Sequence, residues 1–394
     1  LEDKNILIKQ VPTVRRYAAS AQGLPGLRLL KGKNRNTEER KSQKRGNACK
    51  MRIAIDANGG DLGIKPNVEG AVLADKHLQE EIILVGRDPE IREELRRQRH
   101  TPSHRFRIMH APDKIEMNCE PIEECRNKPN SSLMVATDML KDGQADAVIS
   151  AGNSGATMIA ALLKVKRIKG IIRPAIGIPF PTEKRVSLLI DGGANAEIKP
   201  WHLVQFAIMG SVYMKTVFNI PNPTVGILSI GEEENKGTAL VQEAISLLKI
   251  SGLNYAGPIE GRDIPEGKTD VVVTDGFTGN VVLKLSEGLA RTIFKMIRNE
   301  IKRKFTYQIG ALLMRTIFRD LKKKMNPDEL GGAPLLGVNA PVIICHGKTN
   351  AKAIFAAVRS ARNYANSTII DNIKKQAVSL KEKFEEREND KTGE

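Results

Sequence analysis

The 394-residue sequence is 41% hydrophobic and 27% charged, a balance that fits a globular chain with a large core. No apolar run approaches the roughly 18 residues that a transmembrane helix requires. The four cysteines (Cys49, Cys119, Cys125, Cys345) match neither a disulfide framework nor a paired zinc-ligand spacing, and read as thiols of a reducing cytosol. The formal charge of +16 is uneven: residues 1–50 carry 13 Lys and Arg against 4 Asp and Glu, a net +9, which leaves +7 for the other 344 residues. Clustered basic residues suit nucleic-acid phosphates, but the aromatic content is 4% and no nucleic-acid-binding motif accompanies the charge. Nucleic acid is therefore not the expected partner.

Residues 1–50 form a region of their own. After Gly23-Leu-Pro-Gly-Leu27 comes a polar basic run from Lys31 to Lys50 with little apolar periodicity, too poor in burial to order itself. No continuous apolar stretch near the start makes it a secretory signal. Two origins fit it: a basic disordered arm, or translated upstream sequence before a start at Met51. Leu1 as first residue favours the second.

From Met51 short β-branched runs alternate with helical stretches, which predicts an α/β fold with a mostly parallel sheet flanked by helices over residues 51–375. The expected strands are 52–57, 82–86, 106–110, 145–150, 186–191, 224–230, 271–275 and 341–345. The clearest helices are 154–168, 201–218, 237–251 and 280–304. Over 293–325, Ile293, Ile297, Ile301 and Phe305 recur every fourth residue, as do Ile309, Leu313, Ile317 and Leu321. With 10 Lys and Arg against 2 Asp and Glu in this stretch, it predicts two basic amphipathic helices meeting near Gly310. Such helices suit an anionic membrane or an acidic protein partner, with Ile309, Leu313, Ile317, Arg315 and Lys322 as candidate contacts; core or dimer packing would use the same stripe. A charged tail, 376–394, closes the chain as a helix expected to fray.

The chemistry is expected after the strands. Five of them run into small polar, Gly-rich loops: Asp56-Ala-Asn-Gly-Gly-Asp61, Ser150-Ala-Gly-Asn-Ser-Gly155, Asp191-Gly-Gly-Ala-Asn195, Gly231-Glu-Glu-Glu-Asn-Lys-Gly237 and Asp275-Gly-Phe-Thr-Gly-Asn280. Each alone is ordinary turn chemistry. Five at the carboxyl ends of one sheet can share a cleft, where glycines let backbone N–H groups approach an anion and helix N-termini add their dipoles. A nucleophile elbow, a Walker A loop, a Gly-x-Gly-x-x-Gly fingerprint and paired histidines for a metal are all missing. No metal or cofactor is expected, and the anion itself serves as nucleophile.

These loops carry a resemblance. Asp56-Ala-Asn-Gly-Gly-Asp61 resembles the Asp-Ala-Met-Gly-Gly-Asp opening of the bacterial phosphate acyltransferases of the PlsX type. Residues 150–156, 191–195, 202–213, 274–280 and 340–347 are similar to that family's other signatures, in the same order. The resemblance implies transfer of a long-chain acyl group from acyl carrier protein to inorganic phosphate, for phospholipid synthesis. It also implies a homodimer, a cytoplasmic location with peripheral membrane association, and a fold like those of isocitrate and isopropylmalate dehydrogenases and phosphotransacetylase. The sequence departs from the family at Asn58, which replaces Met, and at Leu62-Gly63-Ile64, which replace His-Ala-Pro and remove a histidine. It departs again at Gly231-Glu232-Glu233, in place of Gly-Thr-Glu, and at His346-Gly347-Lys348, in place of His-Gly-Ser.

Within that reading phosphate attacks the thioester carbonyl directly. Lys236 is expected to hold phosphate as a point charge, or else to be a solvated helix-start lysine. Asn153, Asn195 and Asn280 orient phosphate or polarise the carbonyl, or cap turns. Gly59, Gly60, Gly152 and Ser154 belong to the same binding loops. Asp56, Asp61, Asp191 and Asp275 position donors or accept protons, and some of them cap helices, since four acids around one anion would repel it. His346 is placed to protonate the departing thiolate, against the alternative of a satisfied histidine beside the sheet. The competing functions are a phosphotransacetylase-like enzyme acting on an acyl-coenzyme A, and a non-catalytic basic protein binding membrane or RNA.

Overall fold

Uninterrupted apolar runs become strands buried on both faces, with successive side chains sent to opposite layers. Ile53 and Ile55 enter one apolar cluster while Ala54 enters a second, and Ile82 and Leu84 are divided from Ile83 and Val85 in the same way. All of these are fully buried, each contributing about 1.5–3 kcal/mol over exposure for the larger side chains. The structure is a computed structural model and describes residues 51–324 and 330–392, the side chains of Lys322, Lys323 and the residues beyond Glu382 excepted. The expectations for residues 1–50, for the Lys322 side chain and for the outer tail lie outside the described residues.

The strands are β1 (Arg52–Asp56), β2 (Glu81–Gly86), β3 (Phe106–His110), β4 (Ala147–Ser150), β5 (Ala175–Pro181), β6 (Val186–Ile190), β7 (Val225–Leu228), β8 (Tyr255–Ile259), β9 (Val271–Val273), β10 (Ala333–Leu336) and β11 (Val342–Ile344). The helices before the arm are α1 (Ile64–His77), α2 (Asp88–Arg97), α3 (Pro121–Asn127), α4 (Ser132–Lys141), α5 (Ser154–Lys164), α6 (Pro200–Val217), α7 (Ala239–Ile250) and the single turn α8 (Asp263–Glu266). The arm follows as α9 (Gly276–Arg303), α10 (Phe305–Leu313) and α11 (Arg315–Lys324), and the chain closes with α12 (Ala351–Ala365) and α13 (Ile369–Thr392).

One 11-stranded sheet runs in the order β3-β2-β1-β4-β11-β10-β5-β6-β9-β7-β8. Strands β3, β2, β1, β4 and β11 are mutually parallel, as are β6, β9, β7 and β8. Between these halves three antiparallel joins follow one another: β11 with β10, β10 with β5, and β5 with β6. An odd number of reversals leaves the two halves with opposite sense. The five Gly-rich loops therefore do not leave one sheet edge, as the sequence reading had them do. The native twist of about 20–25° per strand turns β6 far from strict opposition to β4, and the carboxyl ends of both halves meet on one cavity, described below.

Helices cover both faces of the first half: α12 packs on α1, β4 and β11, and α4 packs on β1, β2 and β4. In the second half α6 packs on β6 and β9, and α7 and α13 lie against α6. Helix α13 passes through the expected boundary at 375 without a break, burying Ile369, Ile373, Ala377 and Leu380 at helical spacing.

The arm is three helical pieces, broken at Lys304 and Met314, and Gly310 lies within α10. Nothing in α10 is buried, and Ile309, Leu313, Ile317 and Leu321 are exposed. Among the described residues no helix is long and apolar enough to cross a membrane.

The α1–α12 contact depends on Gly70. A Cβ there would lie 2.4 Å from the Ile354 Cβ and 2.8 Å from the Ala351 carbonyl oxygen. Gly70→Ala is expected to cost about 1–3 kcal/mol by overpacking, seen as a lowered thermal midpoint; an unchanged midpoint would show that the two helices slide apart freely.

Candidate active site

Strand β1 ends on a buried carboxylate. Asp56 accepts hydrogen bonds from the Ser132 hydroxyl at 2.6 Å and the Ser150 hydroxyl at 2.7 Å, tying β1 to the start of α4 and the end of β4. Burial pushes its carboxyl above the ordinary value of 3.8, against the lowering effect of the two serines and the backbone of Gly59 and Asn58. The loop that follows lies directly on the loop after β4. At Gly59 a Cβ would stand 2.6 Å from an Asp56 oxygen and 2.8 Å from the Gly152 nitrogen, so only glycine fits. Asn67 donates to the Ala57 and Gly59 carbonyls at 3.0 and 2.8 Å, and the Asp61 N–H donates to the Gly347 carbonyl at 2.7 Å. Asp61 and Leu62 are exposed, with Gly60 at the φ of 106° that its turn requires. Asn153 caps α5 by accepting from Ala156 N–H and spends its amide on the Met117 carbonyl at 2.7 Å.

Strand β6 runs into a second buried carboxylate with more partners. Asp191, fully buried, accepts from the backbone N–H groups of Ile176, Gly193, Ala194 and Asn195 and from the Asn195 amide, at 2.8–3.2 Å. Burial raises its proton affinity, and the Asn195 amide leads the hydrogen bonds that pull the other way. Asn195 also donates to the Pro174 carbonyl at 2.8 Å. The side chains of Asp191 and Asn195 are thus turned into the protein. Helix α9 starts on this loop: Gly276 N–H donates to the Asn195 carbonyl at 2.8 Å, and a Cβ on Gly279 would meet the Asp191 carbonyl oxygen at 2.0 Å. Asp275 is the N-cap of α9, accepting from the Thr278 N–H at 2.8 Å and hydroxyl at 2.7 Å.

The loop after β7 is a lattice of ion pairs. Glu232 meets Lys268 at 2.5 Å, Glu233 meets Lys236 at 2.8 Å, and Glu234 meets Lys249 at 2.5 Å. Lys236 is exposed and does not line the cavity described next. The Ser229 hydroxyl at the base of this loop is buried without a partner, and a Cβ on Gly237 would lie 2.8 Å from it.

A cavity of about 180 Å³ opens where the halves of the sheet meet. Its walls come from β5 (Ile176, Ile178, Pro179), the loop after β6 (Gly192), Gly332 with Ala333 where β10 begins, and the end of β11 (Ile344, Cys345, His346). Helices α5 (Ser154), α9 (Asn280, Leu283, Lys284, Glu287) and α12 (Ala353) complete it, with Thr349 before α12. Of the residues expected at the site, Ser154, Asn280 and His346 gather here. Three that sequence reasoning missed join them: Lys284, Glu287 and Thr349. The first two follow Asn280 by four and seven residues, the spacing that puts all three on one face of α9. Lys284 Nζ lies 3.0 Å from His346 Nε2 and 3.2 Å from a Glu287 oxygen, and Lys348 N–H donates to His346 Nδ1 at 3.1 Å. An apolar pocket rimmed by an amide, an ammonium and an imidazole can bind an extended apolar group and polarise the polar end it leaves at the rim. Among the described residues no group of three His, Cys, Asp or Glu side chains could hold a metal ion.

Residues 51–372 match the model of a family described as "Fatty acid synthesis protein". The chain is 52% identical over 338 residues to a phosphate acyltransferase of Elusimicrobium minutum (strain Pei191), covering 86% of this chain and 99% of that protein. It is 45% identical over 333 residues to a phosphate acyltransferase of Pelotomaculum thermopropionicum, covering 84% and 97%. Among solved structures, a phosphotransacetylase from Streptococcus pyogenes shares the fold with a TM-score of 0.55 at 18% identity, over 84% of this chain and 95% of that one.

The raised proton affinity of Asp56 has a measurable sign. Between 3.8 and its raised value the folded chain holds the extra proton, so this group's contribution to stability is complete below 3.8 and lost as pH rises through the folded value. Asp56→Asn cannot titrate. It should gain stability relative to wild type as pH rises above 3.8, read as the difference in urea midpoints; a difference independent of pH would rule the burial effect out.

Proposed function

Because the chain belongs to the phosphate acyltransferases of the fatty acid synthesis protein family, and is thus an enzyme transferring acyl groups to phosphate, we propose that its donor is long-chain acyl-acyl carrier protein. The product is an acyl phosphate that feeds phospholipid synthesis, formed in the cytoplasm at the membrane surface. The observation that carries this reading is the cavity with an apolar interior and a polar rim of Asn280, Lys284 and His346. An apolar slot receives a hydrocarbon or pantetheine arm, and the rim receives the thioester.

In this mechanism an oxygen of hydrogen phosphate attacks the thioester carbonyl, and the carbon–sulfur bond breaks. Lys236 neutralises phosphate once the anion displaces Glu233 from it. Gly59, Gly60 and Gly152 keep the neighbouring loops close enough for backbone N–H groups to face the anion. Asn280, exposed one turn into α9, polarises the carbonyl. Asp56, Asp191, Asp275, Asn153 and Asn195 act from behind by fixing the loops, and His346 stands at the leaving sulfur.

Two surfaces support the partners. Phe277, Val281, Leu285, Leu289 and Ile293 expose an apolar stripe at every fourth residue of α9, which a second copy of the chain would cover as a homodimer. Ile309, Leu313 and Ile317 beside Arg315 and the basic end of α11 suit an anionic bilayer or the acidic carrier protein.

Palmitoyl-acyl carrier protein should release free carrier thiol only when phosphate is present, with acyl phosphate trapped by hydroxylamine. Lys236→Ala should lower kcat/KM for phosphate by about tenfold to a hundredfold. Release without phosphate dependence would refute the reaction, and an equal or better rate with acetyl-coenzyme A would favour the phosphotransacetylase-like alternative. Replacing Ile309, Leu313 and Ile317 together by serine should weaken binding to phosphatidylglycerol vesicles by about tenfold or more; unchanged vesicle binding would remove the arm from membrane contact.

A further inference from the structure

His346 is offered more donors than it can accept. A neutral imidazole has one N–H and one lone pair. Lys348 N–H donates to Nδ1 at 3.1 Å, and the Lys284 ammonium stands 3.0 Å from Nε2. On either tautomer one donor is left facing a ring N–H. The backbone donor is fixed two residues along the same loop, whereas the lysine is a mobile side chain. The lone pair therefore belongs to Nδ1, and the ring proton sits on Nε2, pointing to the cavity rim. Two N–H donors, from Lys284 and His346, then stand side by side at the cavity rim.

Charge decides what that acceptor is. Lys284 is balanced by Glu287 at 3.2 Å, so the pair has no net charge to hold a doubly charged phosphate. The surrounding wall is apolar, with Leu283, Ile344 and Cys345 beside the rim. Such a site favours an atom that is neutral in the ground state and becomes negative only as a bond breaks. Resting on the acyl-transfer reading above, we infer that Lys284 is a catalytic residue that stabilises the sulfur of the departing thiol and gives it a proton, with the His346 Nε2–H donating a hydrogen bond to the same sulfur and Glu287 positioning the lysine.

The step balances. A phosphate oxygen forms a bond to the carbonyl carbon, and collapse of the tetrahedral adduct breaks the carbon–sulfur bond, its electron pair going to sulfur. The Lys284 ammonium gives a proton to that sulfur, and the proton released by the attacking hydrogen phosphate restores the ammonium. Acyl phosphate and free thiol leave with no net proton change.

Leaving-group dependence tests this role directly. The full chain, Lys284→Met and Lys284→Arg are assayed for acyl phosphate formation with a palmitoyl thioester of an alkyl thiol and with the palmitoyl thioester of 4-nitrothiophenol, whose thiolate leaves without help. Lys284→Met should lose about a hundredfold in kcat on the alkyl thioester but stay within about threefold of wild type on the activated one, with Lys284→Arg between them. Glu287→Gln should follow the same selective pattern more weakly. Equal losses on both donors, or a raised KM for phosphate with kcat retained, would overturn the assignment. If wild type forms acyl phosphate and Lys284→Met matches it on the alkyl thioester, this inference alone falls. If wild type forms none, the acyl-transfer reading falls and this inference with it.

Discussion

The carboxylate of Asp191 holds the seam on which the rest of the molecule turns. Its oxygens collect five N–H donors from β5, from the loop after β6 and from Asn195. A charge taken out of water is tolerated only when its lone pairs are filled this completely. Because the donors come from β5 and from the loop that seats α9, the same ion fixes the antiparallel join and the angle at which α9 leaves the sheet. Gly276 and Gly279 then let that helix touch the loop's backbone with no side chain between them.

From this seam the cavity follows. Three antiparallel joins reverse the sense of half the sheet, and twist brings its carboxyl ends round to those of the other half. The pocket that results is lined by strands on its apolar side and by loop ends and helix starts on its polar side. Helix α9 serves both: Leu283 adds to the hydrocarbon wall, while Asn280, Lys284 and Glu287 add to the rim. The far side of the same helix keeps its apolar stripe exposed, so one 28-residue element turns polar groups to the cavity on one face and apolar ones outward on another.

The eight strands foreseen in the sequence are present, most of them as buried apolar runs, with the edge strand β3, Phe106-Arg-Ile-Met-His110, as the half-exposed exception. The three that escaped notice, β5, β8 and β10, all carry proline, with glycine as well in β5 and β8: Ala175-Ile-Gly-Ile-Pro-Phe-Pro181, Tyr255-Ala-Gly-Pro-Ile259 and Ala333-Pro-Leu-Leu336. Proline removes a ladder donor and reads as punctuation. In β5 and β10 it sits in the middle of the sheet, opposite Leu188 and Ile343. Losing those two strands concealed the reversal of polarity, which is why the loops were assigned a common edge. At the site, Asn280 and His346 were legible from their place after a strand. Lys284 was not, since its role depends on the face of α9 that the Asp275 cap and the Gly279 contact select.

The arrangement separates two electrostatic tasks that would interfere in a single pocket. Phosphate is charged before, during and after the reaction, so it needs a standing positive centre, such as a lysine freed from its partner in the ion-pair lattice after β7. The sulfur is neutral until its bond to carbon breaks. A permanent excess of positive charge beside it would trap anions in the ground state and gain nothing in the transition state. The balanced Lys284–Glu287 pair avoids this: its donors are in place, its net field is small, and it responds only when charge develops beside it. An acyl transfer whose nucleophile is an anion and whose leaving group becomes one is best served by two such unlike centres, brought to opposite sides of one carbonyl carbon.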